Sequence, residues 1–153
     1  MAKYGLSLSG VACSTSNDLR TIQTTATGQG SVVSVYSIYV AGEAASSTFA
    51  RIAVNRPSAA PTGAATNVVP EKLHPASAAA AFTNASTYAS TQPTLSTNDV
   101  LSPALNAFGG VINLVLPPGS EVVVGAQGAV AYLSIRSRSG TPTVSGHILV
   151  EEA

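Results

Sequence analysis

Residues 31–40, Ser-Val-Val-Ser-Val-Tyr-Ser-Ile-Tyr-Val, carry the strongest structural signal in the chain. Each of these ten residues is β-branched, aromatic or serine. That composition is typical of a β-strand and unfavourable to a helix. Gly42 follows and marks the end of the run. The stretch therefore predicts one long strand around which the rest of the fold is built.

Similar β-rich runs, separated by Gly, Pro, Ser and Asn, occur on both sides of this strand. They predict further strands at residues 4–12, 19–25, 47–54, 99–102, 110–116, 121–124, 130–136 and 143–151. The segment Pro117-Pro118-Gly119-Ser120 predicts a turn between two of them. About eight strands with regular turn spacing, and almost no place for a helix, indicate an all-β, jelly-roll-like sandwich.

The 153 residues are predicted to form a single domain, residues 1–153, interrupted by a long excursion at residues 55–98. The excursion is rich in Ala, Ser, Pro and Thr and shows little alternation of apolar and polar residues. An unstructured loop of that length is uncommon inside a domain, so either it contains short elements or a partner orders it. Within it, Pro75 to Phe82 is compatible with two helical turns that begin at the proline.

Two interpretations of the excursion stay open at this stage. It forms a polar flap over one end of the sandwich, as surface loops commonly do. Alternatively, its larger apolar residues bury against a neighbouring subunit or a capsid protein. The residues predicted to make that contact are Leu73, Phe82, Tyr88 and Leu95.

The chain carries few charges, with Asp, Glu, Lys and Arg making up only 9% of it. Ordinary soluble proteins contain about 25% of these residues. Seven basic residues balance seven acidic ones, and 20 Ser and 15 Thr supply neutral polar groups instead. A surface with so little charge repels its own copies weakly, which favours association. The scattered basic residues disfavour nucleic acid as a partner.

No catalytic residue, metal ligand or cofactor-binding residue is predicted. The two histidines lie 73 residues apart, outside any metal-binding spacing. Gly28-Gln29-Gly30 precedes a strand, not a helix, and indicates a turn. Cys13, the only cysteine, is predicted to be a small buried hydrophobic residue. No apolar run of about 20 residues is present, so a membrane is not an expected partner.

Two pairs of like charges lie on predicted strands. Arg136 and Arg138 share one face, so they form either a solvated face or a small basic patch, with Arg51 as a possible neighbour, that pairs with acidic groups of a partner. Glu151 and Glu152 end the last strand and are interpreted as charges that protect a sheet edge.

Several segments together resemble one protein family. They are Gly5-Leu6-Ser7-Leu8-Ser9-Gly10-Val11, Glu71-Lys72-Leu73-His74-Pro75-Ala76 with the alanines that follow, Gln92-Pro93-Thr94, Ala131-Tyr132-Leu133-Ser134-Ile135-Arg136 and Leu149-Val150-Glu151-Glu152. On these segments the chain resembles the small β-sandwich virion proteins of tailed bacteriophages, the capsid decoration or cement proteins.

The resemblance implies a jelly-roll-like structural protein that forms a homotrimer on the outer surface of an icosahedral capsid. Its partner there would be the major capsid protein, and it would be neither an enzyme nor a cofactor-binding protein. The alternative is a lectin-like or receptor-binding β-sandwich module of a phage fibre or spike. Exposed aromatic residues or acidic calcium ligands would favour that alternative.

Overall fold

The computed structural model describes residues 1–125 and 128–153, and no helix occurs in these two ranges. Consequently no described segment is a helix able to cross a membrane. The described strands are β1 (Ala2–Ala12), β2 (Arg20–Gln23), β3 (Val33–Glu43), β4 (Phe49–Asn55), β5 (Ala65–Asn67), β6 (Glu71–Lys72), β7 (Thr83–Tyr88), β8 (Ala104–Asn106), β9 (Phe108–Val115), β10 (Val122–Val124), β11 (Tyr132–Ser139) and β12 (Thr143–Glu152).

The strands form two antiparallel sheets of six strands each. Sheet A has the order β10-β3-β12-β1-β6, and β9 also pairs with β3. Because β12 lies along one side of β3, β9 and β10 share its other side. Sheet B has the order β5-β7-β2-β11-β4-β8. The predicted all-β sandwich is confirmed.

The pairing of early with late strands identifies the sandwich as a jelly roll. β1 pairs with β12, β2 with β11, β3 with β9 and β4 with β8. This nested order is the one obtained when a long antiparallel ribbon wraps into two sheets. Eight strands form the ribbon, and β5, β6, β7 and β10 are additions to it. Of these additions, β10 corresponds to the strand predicted at residues 121–124.

The hydrophobic core lies between the two sheets. Alternate residues of each strand point inward, as the period of two in a strand requires. The largest fully buried core side chains are Tyr4, Leu6, Leu19, Ile22, Ile38, Ile52, Leu133, Ile135 and Ile148. Cys13 is buried beside them, as predicted, with 3% of its surface exposed.

The excursion is ordered by contacts with the two sheets of its own chain. It supplies β5 and β7 to sheet B and β6 to sheet A, so the expectation of short elements is confirmed. Phe82 enters the core and packs edge-to-face on Tyr4, with ring centroids 5.5 Å apart.

The helix expected from Pro75 to Phe82 was wrong, because a single turn closes at Ser77, whose N–H donates to His74 C=O at 3.0 Å. Beyond it, Ala78 C=O lies 3.1 Å from the Tyr4 hydroxyl oxygen, and the N–H groups of Ala81 and Phe82 donate to Glu152. These backbone groups bind other parts of the fold and do not pair within a helix.

Two other local predictions have different outcomes. The turn at Pro117–Ser120 is confirmed, since Ser120 N–H donates to Pro117 C=O at 2.9 Å and Gly119 adopts φ 88°. The strand predicted at residues 99–102 is reduced to one bridge between Leu101 and Val54. The strand that pairs with β4 forms later, as β8.

Candidate functional site

The outer face of sheet B is covered by the chain's own residues. Arg136 points to this face, because the neighbouring Ile135 points into the core. Its Nε donates to Asp18 Oδ1 at 2.5 Å and its Nη2 donates to Pro93 C=O at 2.9 Å. Asp18 also accepts from the Thr21 hydroxyl at 2.6 Å. This buried ion pair holds the end of the excursion against the sheet.

A second polar network extends the same cover. Arg138 binds Asp99 through both Nε and Nη2, with the shortest contact at 2.6 Å, and donates to Ser96 C=O. The buried amide of Asn55 donates to Ser96 C=O, Asn98 C=O and Asp99 Oδ1. Burial raises the pKa of Asp99, but hydrogen bonds from Arg138 and Asn55 outweigh it and hold the pKa below its ordinary value.

These contacts correct the interpretation of Arg136 and Arg138 as a solvated face or a basic patch. Each arginine is paired with a carboxylate of its own chain, Asp18 or Asp99. An open groove of about 480 Å³ remains beside them. Its lining residues are Thr15, Thr91, Gln92, Pro93, Thr94, Leu95, Arg136, Ser137 and Arg138. The lining includes no aromatic ring and no carboxylate, so it does not fit a sugar-stacking or calcium site.

The outer face of sheet A is arranged differently, because Tyr39 and Ser145 at its centre are half-buried and His147 is exposed. The strand registers place Lys3, Glu43, Glu71 and Glu151 at the periphery of this face. At its centre they place a set of side chains that includes no Asp, Glu, Lys or Arg. They are Gly5, Ser7, Ser37, Tyr39, Ala41, Val111, Asn113, Val115, Ser145, His147 and Leu149. We call this set the open face.

Two side chains form the centre of the open face. The rings of Tyr39 and His147 stack with centroids 5.3 Å apart and planes 14° from parallel. They are register partners on the adjacent strands β3 and β12. Stacking fixes both side chains before any partner binds, which lowers the entropic cost of an interface.

Charged residues lie at the border of the open face, where Glu71 of the edge strand β6 is the register partner of Gly5. Lys3 and Glu151 are register partners at one end, and the ammonium of Lys3 lies 5.3 Å from the centre of the Tyr36 ring. Glu43 is at the opposite end of β3 and is exposed. A neutral centre with aromatic residues and a charged rim is the usual composition of a protein interface.

The four predicted contact residues have different positions. Leu73 is 51% exposed and lies on the open face beside Gly5 and Leu149, so it remains a contact candidate. Leu95 is half-buried at the groove. Phe82 and Tyr88 are only 2% and 8% exposed, so the chain's own fold explains their burial. They offer little surface to a neighbouring subunit.

The last strand also corrects an expectation. β12 lies between β3 and β1, so Glu151 and Glu152 do not protect a sheet edge. Glu152 is 2% exposed, and its Oε1 accepts the N–H groups of Ala81 and Phe82 at 2.9 and 3.2 Å. Its role is to attach the excursion to sheet A.

The sequence analysis missed β9 as a surface feature. Its residues Val111 and Val115 are 51% and 71% exposed, and Phe108 at its start is 61% exposed. The sequence does contain a signal for an apolar surface strand, because Phe108–Val115 includes no charged residue. Among the residues described, no group of three or more His, Cys, Asp and Glu is placed to hold a metal ion.

Comparison of the chain with protein-family models, with curated proteins and with solved structures found no match.

Proposed function

We propose that this protein decorates and stabilises the outside of an icosahedral bacteriophage capsid, and that it binds the major capsid protein as a homotrimer. The observation that carries the proposal is the open face, a neutral sheet surface with a stacked Tyr39–His147 pair at its centre and charges only at its border. The segment resemblance to phage decoration proteins supplies the class of partner.

The contrast between the two sheets supports the outer face of sheet A, not that of sheet B, as the surface that binds the capsid. Sheet B is covered by residues 91–99 of the same chain, whereas the centre of the open face consists of small, aromatic and aliphatic side chains. When such a surface binds a partner, few charged groups are removed from water, so the desolvation cost of binding is small. We propose that the capsid contact involves the open face together with Leu73 beside it.

The mechanism needs no chemical reaction. A protein that binds only the assembled shell stabilises that state by mass action. A trimer that reaches three equivalent sites gains avidity from modest single contacts. With 9% charged residues, neighbouring copies can pack densely without strong repulsion.

The proposal is tested by co-sedimentation of the purified chain with expanded capsids built from the major capsid protein of the same phage. We expect saturable binding, and weaker binding by about tenfold or more for His147→Glu, which buries a carboxylate in the contact. Thr97→Glu is the matched control, because Thr97 is exposed in the segment that covers sheet B. Wild-type protein that stays in the supernatant, or His147→Glu that binds equally well, would contradict the proposal.

The oligomeric state is tested separately by size-exclusion chromatography with light scattering. The proposed trimer has three times the chain mass of 15.3 kDa, and association of trimers gives a multiple of that mass. A monomer at all concentrations would argue against the trimeric decoration protein.

A second candidate function is a lectin-like or receptor-binding module of a phage fibre or spike. The exposure of Phe49 and Phe108, at 57% and 61%, favours it, because exposed rings can stack on sugars. The two phenylalanines follow residues that are hydrogen-bonded to each other, since Ala107 N–H donates to Thr48 C=O at 2.7 Å. Binding to host-cell glycans that is lost in Phe49→Ala and Phe108→Ala, without capsid binding, would support this alternative.

A further inference from the structure

The strand β9 has one unpaired backbone edge. It pairs with β3 on one side, and no described strand pairs with its other side. Leu116 N–H, just after β9, donates to Tyr36 C=O at 2.8 Å. The N–H and C=O groups of successive residues in a strand point to opposite sides. The N–H and C=O groups of Leu114 and Ile112 therefore also point towards β3. Those of Val111, Asn113 and Val115 therefore point away from the sheet.

Most other edges among the described strands are short or protected. β1 pairs with β6 only at Tyr4 and Gly5, and beyond them the Arg20 guanidinium donates to Ser7 C=O. β6 has two residues, both charged, while β5 and β8 have three residues each. At β10, the Arg56 guanidinium donates to Val123 C=O at 3.0 Å. β9 is eight residues long and contains neither a charged residue nor a proline. It lacks the devices that natural proteins use to prevent strand addition.

The sequence of this edge is self-complementary. Val111-Ile112-Asn113-Leu114-Val115 has the same kinds of residue when read from Asn113 in either direction. In an antiparallel pair centred on Asn113, each Val111 faces Val115 of the second copy and the two Asn113 amides face each other. Val–Val pairs and amide–amide hydrogen bonds are favourable cross-strand contacts.

We propose that β9 pairs with β9 of a second copy of this chain, antiparallel and across a two-fold axis at Asn113. The three outward-facing residues of each strand would form about six backbone hydrogen bonds. The result joins two A sheets into one continuous sheet. The contact uses the same surface on both copies, so it creates a two-fold symmetric pair and adds to, rather than forms, a trimer. It requires no capsid.

Disulfide cross-linking tests the register. The native Cys13 is buried, so an introduced cysteine is the only accessible one. Asn113→Cys should form a covalent dimer under mild oxidation, because opposed residues of a hydrogen-bonded pair have Cα atoms about 5.5 Å apart. Val111→Cys alone should not, since the two copies of residue 111 would lie roughly 14 Å apart. A mixture of Val111→Cys and Val115→Cys chains should cross-link.

Failure of Asn113→Cys to cross-link, or equal cross-linking by Val111→Cys alone, would overturn the proposed pairing. Association without an added cysteine gives a second, independent measurement. In sedimentation velocity, Val115→Lys should weaken self-association by about tenfold or more, because a lysine on a strand edge opposes pairing. Val69→Lys is the matched control, since Val69 and Val115 are 74% and 71% exposed. Equal association of both variants would also overturn the proposal.

Discussion

The hydroxyl of Tyr4 donates a hydrogen bond to Glu152 Oε2 at 3.1 Å, which joins the first and last strands of sheet A through their side chains. The other carboxylate oxygen of Glu152 accepts the N–H groups of Ala81 and Phe82. Burial of the Tyr4 hydroxyl, together with this hydrogen bond and the charge of Glu152, raises the pKa of Tyr4. One carboxylate thus connects β1, β12 and the excursion.

Replacing Glu152 with alanine should destabilise the fold. The substitution leaves the N–H groups of Ala81 and Phe82 without an acceptor, and each unsatisfied buried group costs about 1–3 kcal/mol. The free energy of unfolding in urea measures the loss. Glu151→Ala is the control and should change stability by less than about 0.5 kcal/mol, as surface substitutions do. Equal losses in the two variants would contradict the assigned role of Glu152.

Gly30 should tolerate alanine less well than Gly28. Both glycines have a positive φ, 79° and 76°, where a side chain costs roughly 1–2 kcal/mol. A Cβ at Gly30 would also lie 2.7 Å from Phe82 N, whereas a Cβ at Gly28 meets nothing within 4 Å. Thermal unfolding should therefore show a lower melting temperature for Gly30→Ala than for Gly28→Ala. Equal melting temperatures would show that the excursion moves away without cost.

Removing Arg136 should cost more than removing both members of its ion pair. Arg136→Met leaves the Asp18 carboxylate buried and unpaired, which typically costs about 3–5 kcal/mol. The double variant Asp18→Asn with Arg136→Met removes the buried charge and should recover part of the loss. Chemical denaturation of the four proteins forms a double-mutant cycle. A double variant less stable than Arg136→Met would contradict this account.

Acid should weaken the cover of sheet B through Asp99. The pKa of Asp99 is lowered in the folded protein, so its contribution to stability is complete above the ordinary Asp value of about 3.9. The contribution is lost as the pH falls through the lower folded value, because the protonated carboxyl no longer pairs with Arg138. Melting temperatures between neutral and strongly acidic pH measure it. The wild type should lose more stability over that interval than Asp99→Asn.

The Cys13 thiol should be unreactive in the folded protein. Burial raises the pKa of Cys13 to about 11, so the nucleophilic thiolate is scarce at pH 8. A chromogenic thiol reagent should modify Cys13 slowly in buffer and rapidly in denaturant. Fast modification in buffer would show that the β1 end of the core opens readily.

Much of the sandwich could be predicted from the sequence, because strand formation depends on local composition. The β-branched run at residues 31–40 became β3, although this strand continues through Gly42, where it was predicted to end. The residues predicted at 143–151 became β12. The turn at Pro117–Ser120 has the same basis, since proline and glycine restrict or extend the backbone locally. The burial of Cys13 follows from its residue type.

The functional surfaces depend on the order of strands, which local composition does not contain. Arg136 meets Asp18 across 118 residues, and Phe82 packs on Tyr4, whose hydroxyl binds Glu152 from the opposite end of the chain. The nested pairing leaves β9 at an edge and β12 in the interior. The sequence by itself determined most of the long strands, such as β1, β3 and β12. Only the tertiary structure decided which faces and edges stay open, because exposure depends on contacts between residues far apart in the chain.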